Sequence, residues 1–426
     1  MANKNIPSEK SSNVTKKHGF NVNFTRNPLE VEEPVIKTLI QYWNVKLGVF
    51  ELPHIDTTPT LEEYQKLLGL FQLDKIYYQG LPTKEEDALK LLNIKDNPGI
   101  RTAQRPFSGL KQKPLKDHLV HLVENRQWVF ARPVLAFLIY GLVLFPSTQG
   151  MVDTAAMDVF YKVSKMVGVS PVPAILADTF SSLTKCYIKQ KGSIGCCVQL
   201  LYLWVATHLH PARSQNINKD LILRFSRWTP FSLTDVIWRE KLENVTDKCY
   251  GWKNPWYKDD TVLMACGNFS GVPLIGPRSS FLYFPCLVLR QMGWTQTFPE
   301  GEIESFFLEG EEGRAKEGKF LQAWKNMKIL GTNELQQQIK TEVASYIAWG
   351  RARTESFTPL LPFPKNSGPT SKEQSLQKKT EVLEAQLKAT RIEKREIETI
   401  FSVYDREKVH LKRKIKDLEE ENPSST

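Results

Sequence analysis

The most apolar stretch of the sequence lies near its middle, at residues 134–145, and reads VLAFLIYGLVLF. A helix that crosses a membrane needs about 20 apolar residues, so this shorter run indicates a buried helix of a large soluble domain. Pro, Gly and Ser residues separate it from three further apolar stretches, at Met151–Val167, Ala174–Ile188 and Ile194–His208. Helices that are hydrophobic on all sides belong in a core, so these stretches predict the centre of a helical domain.

Weaker signals on both sides of this centre extend the same domain. Thr60-Leu61-Glu62-Glu63 matches a capping box, in which Thr and Glu side chains bond each other's backbone amides, and the pattern recurs at Thr83-Lys84-Glu85-Glu86. Thr261–Ala265 and Val272–Ile275 are short strand candidates. Helical spacing resumes in three later stretches, Phe281–Met292, Glu302–Phe307 and Phe320–Leu330. We therefore predict a mainly α fold: one large helical body at residues 31–358, with a few short strands.

Three segments of different composition flank this body. Residues 1–30 are rich in Asn, Lys and Ser and lack an apolar period, so we expect a flexible basic arm without a secretory signal. Residues 359–372 contain four prolines and predict a Pro-rich linker. Beyond the linker, residues 373–421 contain no Pro or Gly and many charges, which predicts a long coiled-coil helix.

The heptad pattern of residues 373–421 predicts an oligomer. A single helix cannot bury an apolar seam against itself, so a partner helix is implied, and Lys394 and Lys408 at a positions favour two strands. Residues 371–421 contain 13 basic and 12 acidic residues, a balance typical of ion pairing between helices. A solvated single helix remains the alternative. The predicted core residues are Leu376, Leu383, Leu387, Ile397, Phe401, Tyr404, Leu411, Ile415 and Leu418.

The net charge is +10, with 57 Lys and Arg against 47 Asp and Glu, which favours anionic partners such as nucleic acid. Cations interleaved with aromatic residues between positions 211 and 260 have the composition of a phosphate-binding and base-stacking surface. The alternative is that the aromatic rings fill the core while the cations face solvent. The candidate nucleic-acid-binding residues are Arg224, Arg227, Arg239, Lys253, Lys258, Trp252 and Trp256.

Motifs for catalysis or metal binding are absent from the sequence. A phosphate-binding loop and a Gly-x-Ser-x-Gly elbow do not occur, and the six cysteines include no Cys-x-x-Cys pair. Cys196-Cys197 lie near His208 and His210, but buried cysteines and a histidine pair at a helix end explain them more simply than zinc does. Six aspartates, including Asp153 and Asp178, are available for a two-metal centre. Their spacing does not place three carboxylates together, as such a centre requires. We expect no catalytic, cofactor-binding or metal-binding residue.

Short motifs follow one another in order along residues 35 to 350. They are Tyr42-Trp43, Thr58–Tyr64, Tyr140–Pro146, Pro171–Thr179, Gly195–Cys197, Leu200–Trp204, Val272–Gly276 and Leu289–Gly293. This ordered set resembles plant mobile domain proteins. The resemblance is closest to a legume-type branch that carries a C-terminal coiled coil, and it implies a transposable-element-related, nuclear protein. Some members are labelled aminotransferase-like, but no lysine here has a recognisable pyridoxal-phosphate setting.

These observations predict a non-enzymatic interaction module. We expect a homo-oligomer, joined by its coiled coil, that acts on chromatin or protein partners in the nucleus, or otherwise in the cytoplasm, and not in a membrane. Direct nucleic-acid binding by residues 211–260 is the second hypothesis. A phosphoryl-transfer enzyme related to transposases or nucleases is the third.

Overall fold

The computed structural model describes residues 31–70, 83–209, 233–299 and 307–337 apart from short gaps, together with residues 20–21, 75–76 and a few positions between 346 and 353. The chain divides into two compact units, Met1–Leu360 and Leu361–Thr426. All described residues belong to the first unit. The predicted linker and all the predicted coiled-coil core residues lie outside the described part of the chain, as does most of the predicted arm.

Helices dominate the described part of the chain, which confirms the mainly α prediction. A π-helix (Tyr140–Leu144) continues α5, and a 3-10 helix occupies Pro285–Met292. The α-helices are α1 (Glu33–Ile40), α2 (Leu61–Leu67), α3 (Glu85–Leu91), α4 (Gln112–Glu124), α5 (Trp128–Ile139), α6 (Thr154–Lys165), α7 (Val172–Lys189), α8 (Val198–Leu209), α9 (Asp235–Glu243), α10 (Gly310–Trp324) and α11 (Thr332–Gln337).

The strands are short and form small sheets around the helices. They are β1 (Phe20–Asn21), β2 (Trp43–Asn44), β3 (Val49–Leu52), β4 (Ile55–Thr57), β5 (Lys75–Ile76), β6 (Arg101–Gln104), β7 (Phe107–Lys111), β8 (Met151–Asp153), β9 (Val169–Ser170), β10 (Gly192–Ser193), β11 (Thr261–Cys266), β12 (Val272–Ile275), β13 (Ser279–Tyr283), β14 (Phe307–Glu309) and β15 (Met327–Gly331). Three antiparallel sheets have the orders β2-β3-β4, β6-β7-β8 and β12-β13-β14, and β11 pairs antiparallel with β15. β1 with β10 and β5 with β9 form parallel pairs of two residues each.

The long helix α7 lies at the centre of the core, as its apolar sequence predicts. It packs against α1, α2, β12 and β13. The buried Phe180 ring contacts Trp43 at 5.3 Å and Phe281 at 5.3 Å between ring centroids. The indole N–H of Trp43 donates to Thr184 Oγ1 over 3.0 Å, so an aromatic side chain in the core also has its polar atom satisfied.

One of the two predicted capping boxes is present and the other is not. Thr60 caps α2: its hydroxyl accepts from the Glu63 amide, and the Glu63 carboxylate accepts from the Thr60 amide. At α3 the cap residue is Lys84, without a side-chain hydrogen bond. The Thr83 amide and hydroxyl instead donate to Asp158, at 2.8 and 2.6 Å. A charged acceptor from a distant helix replaces the local one.

The helix predictions after residue 280 are partly wrong. Residues 279–283 form β13, and the 3-10 helix covers only the last eight residues of the predicted helix Phe281–Met292. The predicted helix Phe320–Leu330 ends at Trp324, after which β15 pairs with β11. Both segments are apolar and short, so their pattern cannot distinguish a helix from a strand that gains hydrogen bonds from a distant partner. Both predicted strands, at β11 and β12, are confirmed.

The prediction that residues 134–145 form a fully buried helix is also partly wrong. The run lies in α5 and the following π-helix, and Val134, Phe137 and Leu138 are buried. Leu135 and Ile139, however, are 50% and 43% exposed. A helix without polar residues gives no sequence signal that separates its buried face from its exposed one.

Candidate functional site

Asp153 and Asp178, two of the aspartates that the sequence offers as candidate metal ligands, both bind Arg278, which no sequence motif marks. Asp153 ends β8, Asp178 lies within α7, and Arg278 lies in the turn between β12 and β13. Arg278 Nη2 is 2.7 Å from Asp153 Oδ2, and its Nη1 is 3.0 Å from Asp178 Oδ1. Nη2 also donates to the Phe145 carbonyl over 3.1 Å. A two-metal centre needs carboxylates that are free to bind metal ions, whereas these two bind the guanidinium of Arg278.

The charges of this cluster are almost removed from water. Burial raises the pKa of Asp178 to about 6, although the adjacent Arg278 lowers it. Burial lowers the pKa of Arg278, and the carboxylates of Asp178 and Asp153 more than offset this and raise it. The three side chains are 15% exposed or less, so the cluster links β8, α7 and the β12–β13 turn from inside the body.

A second buried network surrounds the carboxylate of Glu63 in α2. His208 Nε2 lies 2.9 Å from Glu63 Oε1, and His208 Nδ1 lies 2.6 Å from the Gly251 carbonyl oxygen. Trp204 Nε1 donates to Glu63 Oε2 over 3.0 Å, and Gln291 Nε2 donates to it over 3.1 Å. Both ring nitrogens of His208 are thus within hydrogen-bond distance of an oxygen atom, which fixes the orientation of the ring.

The Gln291 side chain extends the network to the end of β4. Its amide nitrogen donates to the Thr58 carbonyl over 2.8 Å, and its oxygen accepts from the Thr58 amide and from the Thr57 hydroxyl. The Thr57 hydroxyl also bonds the hydroxyl of Tyr250. Glutamate and histidine can serve in acid–base chemistry, but here both are 2% exposed or less and hold α2, α8 and the 3-10 helix together.

A third cluster attaches Tyr346 and Arg353 to the β3–β4 hairpin. Arg353 bridges the carboxylates of Glu51 and Asp56, and the Tyr346 hydroxyl donates to Asp56. Burial raises the pKa of Glu51, and Arg353 and a hydrogen bond from Asn44 oppose this shift. All three clusters therefore join parts of the body that lie far apart in the sequence.

Glu62, next to Glu63, is buried in a less polar setting. One of its oxygens accepts from the Leu263 amide over 3.0 Å, and the other has no hydrogen-bond partner among the described residues. Burial raises the pKa of Glu62 to about 7, against the effect of the Leu263 hydrogen bond. Its charge is thus disfavoured in the folded protein.

Cys196 and Cys197 are buried free thiols near α7 and α8. Burial raises the pKa of Cys197 to about 12 and that of Cys196 well above its usual range, so neither is a reactive thiolate at neutral pH. Among the described residues, no group of three or more His, Cys, Asp or Glu side chains is arranged to hold a metal ion. His208 is bound to Glu63, and His210 lies outside the described residues.

The predicted nucleic-acid-binding set is only partly described. Arg224, Arg227, Lys253, Lys258 and Trp256 lie outside the described residues. Arg239 is half-buried in α9, near Glu243 and Tyr42. Trp252 stacks against the guanidinium of Arg290 at 4.0 Å and contacts the Tyr250 ring at 4.5 Å between centroids. The described members thus form contacts within the body, and base stacking by the set remains a prediction.

The most accessible apolar feature of the described part of the chain is the antiparallel pair α4–α5. The two helices pack side by side and bury Leu115 and Leu122 of α4 with four apolar residues of α5. On their other sides, both helices expose large apolar residues, of which Val129 is the most exposed at 78%. Phe130 is also exposed, but its spacing places it on the opposite side of α5 from Trp128. We call the other six residues the hairpin face; they are Val120, Val123, Trp128, Val129, Leu135 and Ile139.

The hairpin face is a candidate interaction site because proteins seldom leave such a surface in water. Contiguous exposed apolar patches larger than a few hundred Å² commonly mark sites where another molecule binds. The described helices include none that is both long and apolar enough to cross a membrane. Composition did not reveal this face. The spacing of Trp128, Leu135 and Ile139, at intervals of seven and four positions, is visible in the sequence.

Comparisons with known proteins agree with the ordered motifs. The profile of a family described as "Domain of unknown function (DUF7745)" matches residues 2–355. Protein MAIN-LIKE 1 of Arabidopsis thaliana is 24% identical over 303 residues, which cover 67% of this chain and 59% of that protein. Protein MAINTENANCE OF MERISTEMS of Arabidopsis thaliana is 24% identical over 314 residues, covering 68% of this chain and 63% of that protein. No solved structure matches the chain.

The chain thus spans less than two thirds of the length of each of these two relatives. The family profile, in contrast, covers most of the chain and includes nearly all the residues that the structure describes. The chain is therefore a member of the DUF7745 family and a relative of the plant mobile domain proteins, as its ordered motifs predicted.

Proposed function

We propose that the chain is a non-enzymatic interaction module of transposon-related origin that acts in the nucleus on chromatin or protein partners. We further propose that it oligomerises through the heptads of residues 373–421 and belongs to the legume-type branch with a coiled coil. The observation that carries the interaction role is the hairpin face, a broad apolar surface on a body whose ionic clusters are turned inward.

The three ionic clusters support a structural reading of the polar residues in the described body. Arg278, Arg353 and His208 each bind carboxylates that are 5% exposed or less. A carboxylate at such depth costs several kcal/mol when it loses its partner, so these contacts favour a structural role for the polar residues of the body.

The tail supports the oligomeric part of the proposal through its sequence pattern. The test compares the full chain with a chain that lacks residues 371–426 by sedimentation velocity. We expect the full chain to sediment as an oligomer and the shortened chain as a smaller species. This deletion retains Tyr346 and Arg353, so the ionic cluster at Glu51 and Asp56 stays intact. Equal dissociation constants for the assembly of the two proteins would refute tail-driven assembly.

Direct nucleic-acid binding is the second candidate, because the charge is concentrated outside the tail. Residues 371–421 carry a net +1 of the total +10. Binding by phosphate contacts should weaken steeply as salt rises, and Arg224→Ala with Arg227→Ala should weaken it further. Fluorescence anisotropy with a labelled DNA duplex at several salt concentrations tests this. Absence of salt-dependent binding, or equal binding by the variant, would reject the use of these arginines.

A further inference from the structure

We propose that the hairpin face is a self-association surface, on which a second copy of the chain packs its own hairpin face to form a four-helix bundle about a twofold axis. This inference rests on the proposed function, because it names the partner of the same surface. It is separate from the predicted coiled coil, so the chain would carry two independent means of pairing.

The spacing of the exposed residues is the first support. Trp128, Leu135 and Ile139 are separated by seven and four positions, which places them in one narrow stripe along α5. Val120 and Val123, three positions apart, add a neighbouring stripe on α4. Two antiparallel helices with such stripes have the form of half a four-helix bundle, and an identical copy can supply the missing half.

The area of the hairpin face is the second support. Its six side chains expose roughly 600 Å² per copy, at the upper end of the largest patch found on ordinary monomers. Two copies would therefore bury roughly 1,200 Å² from these residues alone, which reaches the range of specific protein interfaces. Polar residues at the edge of the face would add to this area.

The charges around the hairpin face favour a protein partner over a membrane or a nucleic acid. Residues 112–139 contain four basic and two acidic residues, a mixed set rather than the uniformly basic surface that anionic lipids or phosphates require. Arg132 lies in the same stripe as Trp128 and Leu135 and is exposed. A cation there is costly in a bilayer, but in a helix interface its apolar stem can pack while the guanidinium extends to water.

The test uses the full chain with its tail disabled by Leu383→Lys and Leu411→Lys, so that only association through the body remains. Sedimentation velocity is measured from about 1 to about 100 µM, the range in which moderate dimers form. We expect a concentration-dependent dimer. Adding Leu135→Lys and Ile139→Lys should raise its dissociation constant by about 100-fold or more, because each new charge would lie in an apolar interface.

A matched control adds the same two charges elsewhere. Ile188 in α7 and Val236 in α9 are exposed apolar residues, at 61% and 70%, outside the hairpin face. Ile188→Lys with Val236→Lys should leave the dimer unchanged. Unaltered thermal unfolding would confirm that each variant is folded, and Val120→Lys with Val123→Lys provides a second hairpin variant if the first is not.

Each outcome has a defined meaning. A tail-disabled chain that stays monomeric at every concentration, while the unmodified chain is oligomeric, overturns the hairpin dimer alone. Loss of the dimer in both the hairpin and the control variants, or in neither, also overturns it. If the unmodified chain is itself monomeric throughout, both this inference and the oligomeric part of the proposed function are refuted. Dimer loss confined to the hairpin variants supports the inference.

Discussion

Replacing Arg278 should test whether the ionic clusters hold the body together. In Arg278→Met the apolar chain is retained, but Asp153 and Asp178 lose their shared cation and four donated bonds between them. Removing one partner of a buried ion pair commonly costs about 3–5 kcal/mol, because the other charge remains buried without compensation. Arg278 is 15% exposed and water can partly replace it, so we expect about 3 kcal/mol.

Urea unfolding of the full chain, followed by circular dichroism at pH 8, measures this change. The matched control is Lys113→Met, which breaks an exposed ion pair with Asp117 over 2.7 Å. Both substitutions remove one positive charge, but the exposed pair should contribute little. A loss below about 1 kcal/mol for Arg278→Met, or one no larger than that of the control, would contradict the reasoning.

The dependence on pH gives a second reading of the same variant. The folded pKa of Asp178 is about 6, above its ordinary value of 3.8. The folded state therefore binds this proton more tightly, and the stability it contributes is present below pH 4 and lost as the pH rises through 6. Arg278 lowers the pKa of Asp178, so without the guanidinium Asp178 should protonate more readily still, and Arg278→Met should be less destabilised at pH 5 than at pH 8. Equal destabilisation at the two pH values would refute an electrostatic origin.

Three further substitutions test individual features by urea unfolding. Burial raises the pKa of Glu62 from 4.5 to about 7, so the unmodified chain loses stability as the pH rises over that interval. Glu62→Gln should therefore gain stability relative to the unmodified chain, by on the order of 2 kcal/mol. Glu86→Gln, at an exposed position, is the control and should show no such gain. Gly48 and Gly69 both have positive φ, but only at Gly48 would a Cβ lie 2.7 Å from an aromatic ring, that of Phe281. Gly48→Ala should therefore cost more than the roughly 1 kcal/mol expected for Gly69→Ala. Equal costs of the two substitutions would contradict this. Thr60→Ala should cost about 1–2 kcal/mol through loss of the capping box, and an unchanged midpoint would argue against its importance.

The success of the sequence predictions depended on how far apart the interacting residues lie. The Thr60–Glu63 capping box spans three positions, so the sequence contains all of it. Thr83 showed the same pattern, yet its partner Asp158 lies 75 positions away and no local pattern reveals it. The strand candidates at β11 and β12 were recognisable from their apolar runs, although their pairing partners were not.

The candidate site was hidden for a different reason. Residues 134–145 contain no polar side chain that would mark the outward side of α5, so composition alone indicated complete burial. The Arg278 cluster was hidden because its members are 100 and 125 positions apart. Aspartates can be found in a sequence, but the arginine that neutralises them is identified only when the chain is folded.

The contact of Arg353 with Glu51 and Asp56 bears on how this protein can be shortened or joined to other modules. A fragment or splice product that stops before Tyr346 would leave two acidic groups of the β3–β4 hairpin facing each other inside the protein. Such a product should be prone to degradation. A product that ends within the proline-rich stretch beyond 359 retains the contacts of Tyr346 and Arg353 with these acidic groups. Exchange of the tail for other sequences during gene rearrangement would therefore be tolerated best at that stretch.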